Sequence, residues 1–240
     1  MNFPAFISAC SSLVFSIRCP SCQKPSNQDF TEFGICFECR SLVQSRVSVT
    51  HRGRLRIFAG SSYTSNLSRI ILAAKEENQI QARIFLAKQL TNSLQRALEE
   101  VSMHRGQSVK EIVIIPIPSR RLADRRRGFA HIELLVGQLL ALNRNLDIQV
   151  LNCLSHSRKI SDQTSLNFNE RAMNMKGAFL VDQVKYLDFY PINNSDSAVF
   201  LLDDLVTSGA TVQAADLALS TLGGRLDGVL ASCATAGFTH

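Results

Sequence analysis

The segment 199–211 reads VFLLDDLVTSGAT. An apolar run ends in two adjacent carboxylates, Asp203 and Asp204, and a turn of hydroxyls and small residues follows: Thr207, Ser208, Gly209, Ala210 and Thr211. A buried strand, such a turn and a helix start, in that order, make a phosphate cradle. The first N–H groups of a helix point at an anion, hydroxyls add donors, and glycine lets the backbone approach closely. Two carboxylates beside an anion site repel the ligand unless they have a task of their own, and binding two vicinal ribose hydroxyls, with a divalent metal nearby, supplies one. Simpler readings compete. Asp204 also suits a helix cap, and a hydroxyl-rich turn can be an ordinary cap. A flavodoxin-like flavin site uses a similar turn, but after the first strand and without the acidic pair. With no Trp and three Tyr, the chain is also poor in rings to stack on a flavin. A P-loop is excluded, because no G-x4-G-K-[ST] occurs.

The second chemical cluster is Cys19-x2-Cys22 and Cys36-x2-Cys39, separated by the 13 residues from Gln23 to Ile35. Two such knuckles bracketing a loop are the sequence form of a four-cysteine structural zinc site. Pro20 and Gly34 supply turn chemistry at the knuckles. The segment has few large apolar residues, so about 10–16 kcal/mol of apparent zinc-binding energy would fold it. Disulfides do not suit a reducing compartment, and a redox C-x2-C normally comes singly in a thioredoxin-like setting. Four thiolates leave no open position on the metal, so the expected zinc is structural. Of the seven cysteines, Cys10, Cys153 and Cys233 read as buried thiols with no assigned role.

The third cluster is basic. PIPSRRLADRRRGFAH (116–131) holds Arg120, Arg121, Arg125, Arg126 and Arg127. It suits a solvated face or a nucleic-acid patch, but a basic loop directly after a strand and a Pro-x-Pro turn is well placed for pyrophosphate, whose oxygens Arg takes in pairs. Further on, Arg158-x4-Gln163-x2-Leu166-x4-Arg171-x2-Asn174 precedes Gly177-Ala178-Phe179 and reads as a mobile hood carrying cations over a reacting bond.

These clusters need elements to hold them. Residues 66–74 and 80–101 carry apolar side chains at helical spacing, 131–142 is an amphipathic helix, and 211–222 is a helix stopped by Gly223-Gly224. Strands are expected at 111–117, 148–151, 178–181, 198–202 and 226–234, with a polar, basic linker at 44–56. Strands alternating with helices predict an α/β fold with a mostly parallel sheet flanked by helices. The expected organisation is a zinc-ribbon-like module and linker over 1–55 and one α/β domain over 56–240.

Composition agrees with a packed globular chain: 240 residues, 45% hydrophobic and 19% charged. No stretch approaches the roughly 18 uncharged apolar residues of a membrane span. Residues 3–17 are fairly apolar, and Ile7-Ser8-Ala9-Cys10 loosely resembles a lipoprotein site. No Lys or Arg precedes Arg18, however, so an export signal is not expected and the location is read as cytoplasmic. The net charge of 26 − 20 = +6 suits anionic partners without choosing among them.

LLDDLVTSGAT resembles the PRPP-binding signature of type I phosphoribosyltransferases, with Ser208 where Thr is usual. The resemblance implies that Asp203 and Asp204 hold the ribose hydroxyls and residues 207–211 the 5′-phosphate. The whole chain from Cys19 resembles the ComF family, phosphoribosyltransferase-like proteins associated with competence and DNA uptake. The shared marks are the paired C-x2-C module, the P-x-P turn followed by an RGF segment, R-x4-Q-x2-L-x4-R-x2-N-x2-GAF and the acidic turn. Lys75, in LAAKEEN, falls where that family has a lysine motif, and is implied as part of the PRPP site. Ala130-His131 departs from the family's Asn-Gln, and the loop before it carries two extra residues and more arginines. The resemblance implies a Mg²⁺-dependent PRPP-binding protein of the phosphoribosyltransferase class. Arg120 and Arg121 would steady the pyrophosphate, Arg158 or Arg171 would close over it, and the acceptor is unread.

A different class stays open: a single-stranded nucleic-acid-handling accessory, linked to the competence machinery, in which the PRPP site is a sensor or relic. The +6 charge and basic loops would track a phosphate backbone, although Phe129 is the only ring near the arginines. A transcription regulator would want a second DNA-reading element, and no helix-turn-helix is visible.

Overall fold

Near-continuous apolar runs build the sheet that carries everything else. The computed structural model describes residues 18–25, 35–43, 46–157, 177–189 and 196–236. A short helix α1 (Phe37–Leu42) ends the second cysteine knuckle, and a hairpin follows of β1 (Ser48–Arg52) and β2 (Leu55–Ser62). Helices α2 (Ser65–Lys75) and α3 (Ile80–Arg105) lead to β3 (Glu111–Pro116). Then come α4 (Arg121–Arg127), α5 (His131–Leu142), β4 (Ile148–Val150), β5 (Leu154–His156), β6 (Phe179–Val181) and α6 (Gln183–Phe189). The chain returns through β7 (Ser197–Val206), α7 (Ala210–Ser220) and β8 (Gly228–Ala234).

Six strands pair in the order β1-β2-β8-β7-β3-β4. β1 is antiparallel to β2, and every other pairing in this sheet is parallel. Alternation along the strands divides the core. Ile112, Ile114, Phe200 and Leu202 face the layer of α2, α3 and α5, while Val113, Ile115, Val199 and Leu201 face the layer of α7 and the small β5–β6 pair. Cys19, Ile35, Cys39 and Val43 join the first of these cores, so the cysteine module packs on the α2–α3–α5 side. The chain steps outward from β3 to β4, then returns to place β7 and β8 on the opposite side of β3. The order therefore reverses between β3 and β7, and the crevice beyond their carboxyl ends is where open α/β sheets bind ligands.

Two expectations change. The linker expected at 44–56 is instead a hairpin: residues 48–52 form the edge strand β1, paired from Ser48↔Ala59 to Arg52↔Leu55, and residues 55 and 56 begin β2. The alternating exposure of β1 leaves only Arg52 buried, so it lacks the apolar signal of a strand. The arginine segment, read as a loop, is helical over Arg121–Arg127. None of that helix's apolar residues is buried, and hydrophobic periodicity cannot reveal such a helix. Among the described residues, no helix is long and apolar enough to cross a membrane.

Candidate functional site

β7 runs from the buried core to the crevice and delivers Asp203 and Asp204 at its far end. Asp204 is buried, and its Oδ2 lies 3.3 Å from Lys75 Nζ at the end of α2 and 3.2 Å from His131 Nε2 at the start of α5. His131 is fully buried. It stands at ion-pair distance from the carboxylate, yet neither ring nitrogen has a well-directed hydrogen-bond partner among the described residues. The Asp204 N–H donates to Asp203 Oδ1 over 2.9 Å.

The two neighbouring carboxyls titrate in opposite directions. Burial pushes the Asp203 carboxyl well above its ordinary value, and the charge of Asp204 adds to that. Burial also disfavours the charged form of Asp204, but His131 and Lys75 outweigh it and hold this carboxyl below the ordinary range. The pair thus has one member whose charged form is favoured beside Lys75 and His131, and one whose charged form burial disfavours.

After β7 the chain turns through Thr207 and Ser208 to Gly209, which occupies the N-cap of α7 with φ +81°, the left-handed region open to glycine. Gly209 has no capping side chain, and the nearest hydroxyl contact is the Ala210 N–H donating to Ser208 Oγ at 3.4 Å. Thr207 is exposed, and Ser208, Ala210 and Thr211 are half-buried. The turn therefore presents donors and a helix N-terminus at the crevice, next to the acidic pair.

At the β3 side, Arg120 occupies the N-cap position of α4 and Arg121 begins the helix, both exposed, shortly after the Pro116–Pro118 turn. Arg125 and Arg126 are also exposed. Arg127 differs: its side chain is 4% exposed and pairs with Glu76 (3.2 Å) and Asp124 (2.8 Å), so it braces α4 against the end of α2. Arg158 and Arg171 lie outside the described residues. The strand before them is tied to the crevice by His156. Its Nε2 is 2.8 Å from the Pro118 carbonyl oxygen, and its ring stacks on Phe179 at 4.9 Å. Burial lowers the His156 pKa, so a neutral ring donating to that carbonyl is the favoured state.

The structure thus brings together the expected residues Lys75, Asp204 and the 207–211 turn. It also adds His131, Arg52 and His156. His131 was visible only as a departure from a motif, and Arg52 and His156 carried no sequence signal. Arg52 reaches the turn from the hairpin and donates to the Thr207 carbonyl at 2.8 Å.

The Sγ atoms of Cys19, Cys22, Cys36 and Cys39 all lie within 4.8 Å of one another, with Cys22 and Cys36 at 3.8 Å. A tetrahedral thiolate site with Zn–S bonds near 2.3 Å has S···S edges of about 3.8 Å, so the spacing fits. Burial opposes ionisation of Cys19, but backbone donors at Cys36, Cys22 and Ser21 overcome it and bring its pKa to about 7. Burial dominates at Cys39, whose pKa is pushed up to about 12. These four side chains could hold a structural zinc.

Cys153 and Cys233 are buried free thiols. Burial pushes Cys153 up to about 11 and Cys233 higher still, which suits packing rather than reactivity. Cys10 lies outside the described residues. Comparison with known proteins finds no family model that matches the chain and no curated protein that matches it.

Proposed function

We propose that the chain is a ComF-type, phosphoribosyltransferase-like protein that binds PRPP or a closely related phosphorylated sugar beyond β3 and β7. One observation carries the reading: a parallel sheet reverses its order where β7 delivers an acidic pair and a hydroxyl-rich turn to the start of an eleven-residue helix. In this account the 207–211 turn takes the 5′-phosphate and the Asp203–Asp204 pair takes the ribose hydroxyls. Lys75 and His131 hold Asp204 ionised and fixed in direction, which leaves Asp203 as the adaptable member. Arg120 and Arg121, exposed at the neighbouring strand end, meet the pyrophosphate.

The acidic pair suits Mg²⁺ only as an ion carried in by the ligand. Asp204 Oδ2 already faces Lys75 and His131, so most oxygen ligands would come from phosphate and water. Bound there, Mg²⁺ would neutralise pyrophosphate charge, as departure of that group requires. The cysteine cluster holds zinc and supports the fold on the α2–α3–α5 side.

Calorimetric titration of PRPP with Mg²⁺ tests the reading. Binding to the wild type that falls at least about a hundredfold in Asp203→Asn/Asp204→Asn supports it. An unresponsive wild type, or an unchanged double variant, refutes it. The exposed arginines of α4 favour a second activity, nucleic-acid contact. Steeply salt-dependent binding of single-stranded DNA that PRPP leaves untouched would place that activity elsewhere, whereas displacement by PRPP would mean a shared site.

A further inference from the structure

Arg52 places a buried cation behind the 207–211 turn. It sits at the tip of the β1–β2 hairpin and is 7% exposed. Its Nε donates to the Thr207 carbonyl (2.8 Å), its Nη2 to the Thr235 carbonyl (2.8 Å), and its Nη1 to the His51 carbonyl (2.8 Å) and Thr50 Oγ1 (3.1 Å). Among the described residues, all of these acceptors are neutral and no carboxylate pairs with it. Burial alone shifts its pKa, and shifts it downward. A buried charge without a counter-charge is costly, and an anion arriving at the turn would relieve that cost.

Two further facts tie Arg52 to the turn. A Cβ on Gly209 would stand 2.5 Å from Arg52 Cγ, so the aliphatic stem of Arg52 fills the space that the missing side chain leaves. A trans peptide sets its C=O and N–H in opposite directions, so pinning the Thr207 carbonyl to the guanidinium turns the Ser208 N–H away from Arg52.

We propose that Arg52 is the positioning residue of the anion turn: it fixes the Thr207–Gly209 backbone with its donors outward and supplies the positive charge that complements a sugar 5′-phosphate. The inference rests on the sugar-phosphate reading above and deepens it by naming the side chain that holds the 5′-phosphate turn in shape. Pyrophosphate, expected at the β3 side, should not depend on Arg52.

The test titrates ribose 5-phosphate and inorganic pyrophosphate, each with Mg²⁺, into the full chain and into Arg52→Gln. The expected result is a loss of about tenfold or more for ribose 5-phosphate, with pyrophosphate within about twofold of the wild type. Arg52→Lys keeps the charge but not the fork, and carries the same selective, smaller loss if Arg52→Gln does not fold. Equal weakening of both ligands, or of neither, overturns the assignment of Arg52. A wild type that binds neither ligand overturns the sugar-phosphate reading itself.

Discussion

The cysteine module and the β7–α7 turn collect charged groups in opposite ways. The module draws four thiols from one stretch, Cys19 to Cys39, and sets their sulfurs within 4.8 Å of one another. The turn is assembled across the fold: Lys75 meets Asp204 over 129 residues of sequence, and Arg52 meets Thr207 over 155. Four like thiols held together call for a cation. The turn, by contrast, has a buried guanidinium, Arg52, with no carboxylate partner among the described residues, which suits the proposed anion. The local site should therefore be broken by its metal alone, and the distributed one by any of several side chains acting through separate elements.

Metal removal should give the largest effect. A structural thiolate site contributes about 10–16 kcal/mol of apparent binding energy in small modules. A strong chelator, or Cys19→Ser, should strip about one equivalent of zinc and lower the melting temperature steeply. Metal analysis that finds no zinc in the purified chain would remove this half of the comparison.

Asp204→Asn comes next. It leaves His131 fully buried and Lys75 partly buried without their anion, and should cost about 3 kcal/mol, the low end for a broken buried pair because Lys75 is 37% exposed. Asp203→Asn should behave in the opposite way. The folded state raises the Asp203 pKa, so this carboxyl favours the native protein below its ordinary value of 3.8 and loses that contribution as pH rises through the folded value. For Asp204 the folded value is lowered, so its contribution is present above 3.8 and lost as pH falls below it. Thermal melts at pH 7 should therefore place Asp203→Asn at or above the wild type and Asp204→Asn below it, with the Asp203→Asn advantage shrinking toward pH 4. The same order for both variants at both pH values would contradict the division of the pair.

A smaller effect is expected at His131. His131→Gln keeps a donor toward Asp204 and should bind PRPP within a few-fold of the wild type, whereas His131→Leu should lose about 1–3 kcal/mol of stability in the same melts. Equivalence of the two variants would show that packing, not the contact with Asp204, is what matters there. The smallest effect concerns Cys153 and Cys233. With their pKa values raised by burial, neither should alkylate in the folded chain near pH 8, as peptide mass mapping would report.

The same contrast explains what could be read in the sequence. Cys19, Cys22, Cys36 and Cys39 announce themselves by spacing, because their partners are neighbours in the chain. The apolar run of β7 and the Asp203–Thr211 turn are legible for the same reason, as is His131–Leu142, which matches its observed helix end to end. Lys75 came from family resemblance alone, since nothing local to it points at a carboxylate on β7. β1 was missed because an edge strand with alternating exposure and a single buried Arg resembles a basic linker. α4 was missed because a helix with no buried apolar residue has no apolar face to show in the sequence. Arg52 became visible only when the hairpin brought it under Thr207, and His131 when α5 brought it against Asp204.

Hydrogen exchange on the zinc-loaded chain, with and without PRPP and Mg²⁺, tests the central claim most directly, because it reports both regions at once. The account predicts slowed exchange across Asp203–Thr211 and the start of α7, a smaller change near Arg120 and Arg121, and none in the Cys19–Cys39 module. Protection confined to α4 or to the cysteine module, with the 203–211 amides unchanged, would contradict the assignment of the turn as the sugar-phosphate site.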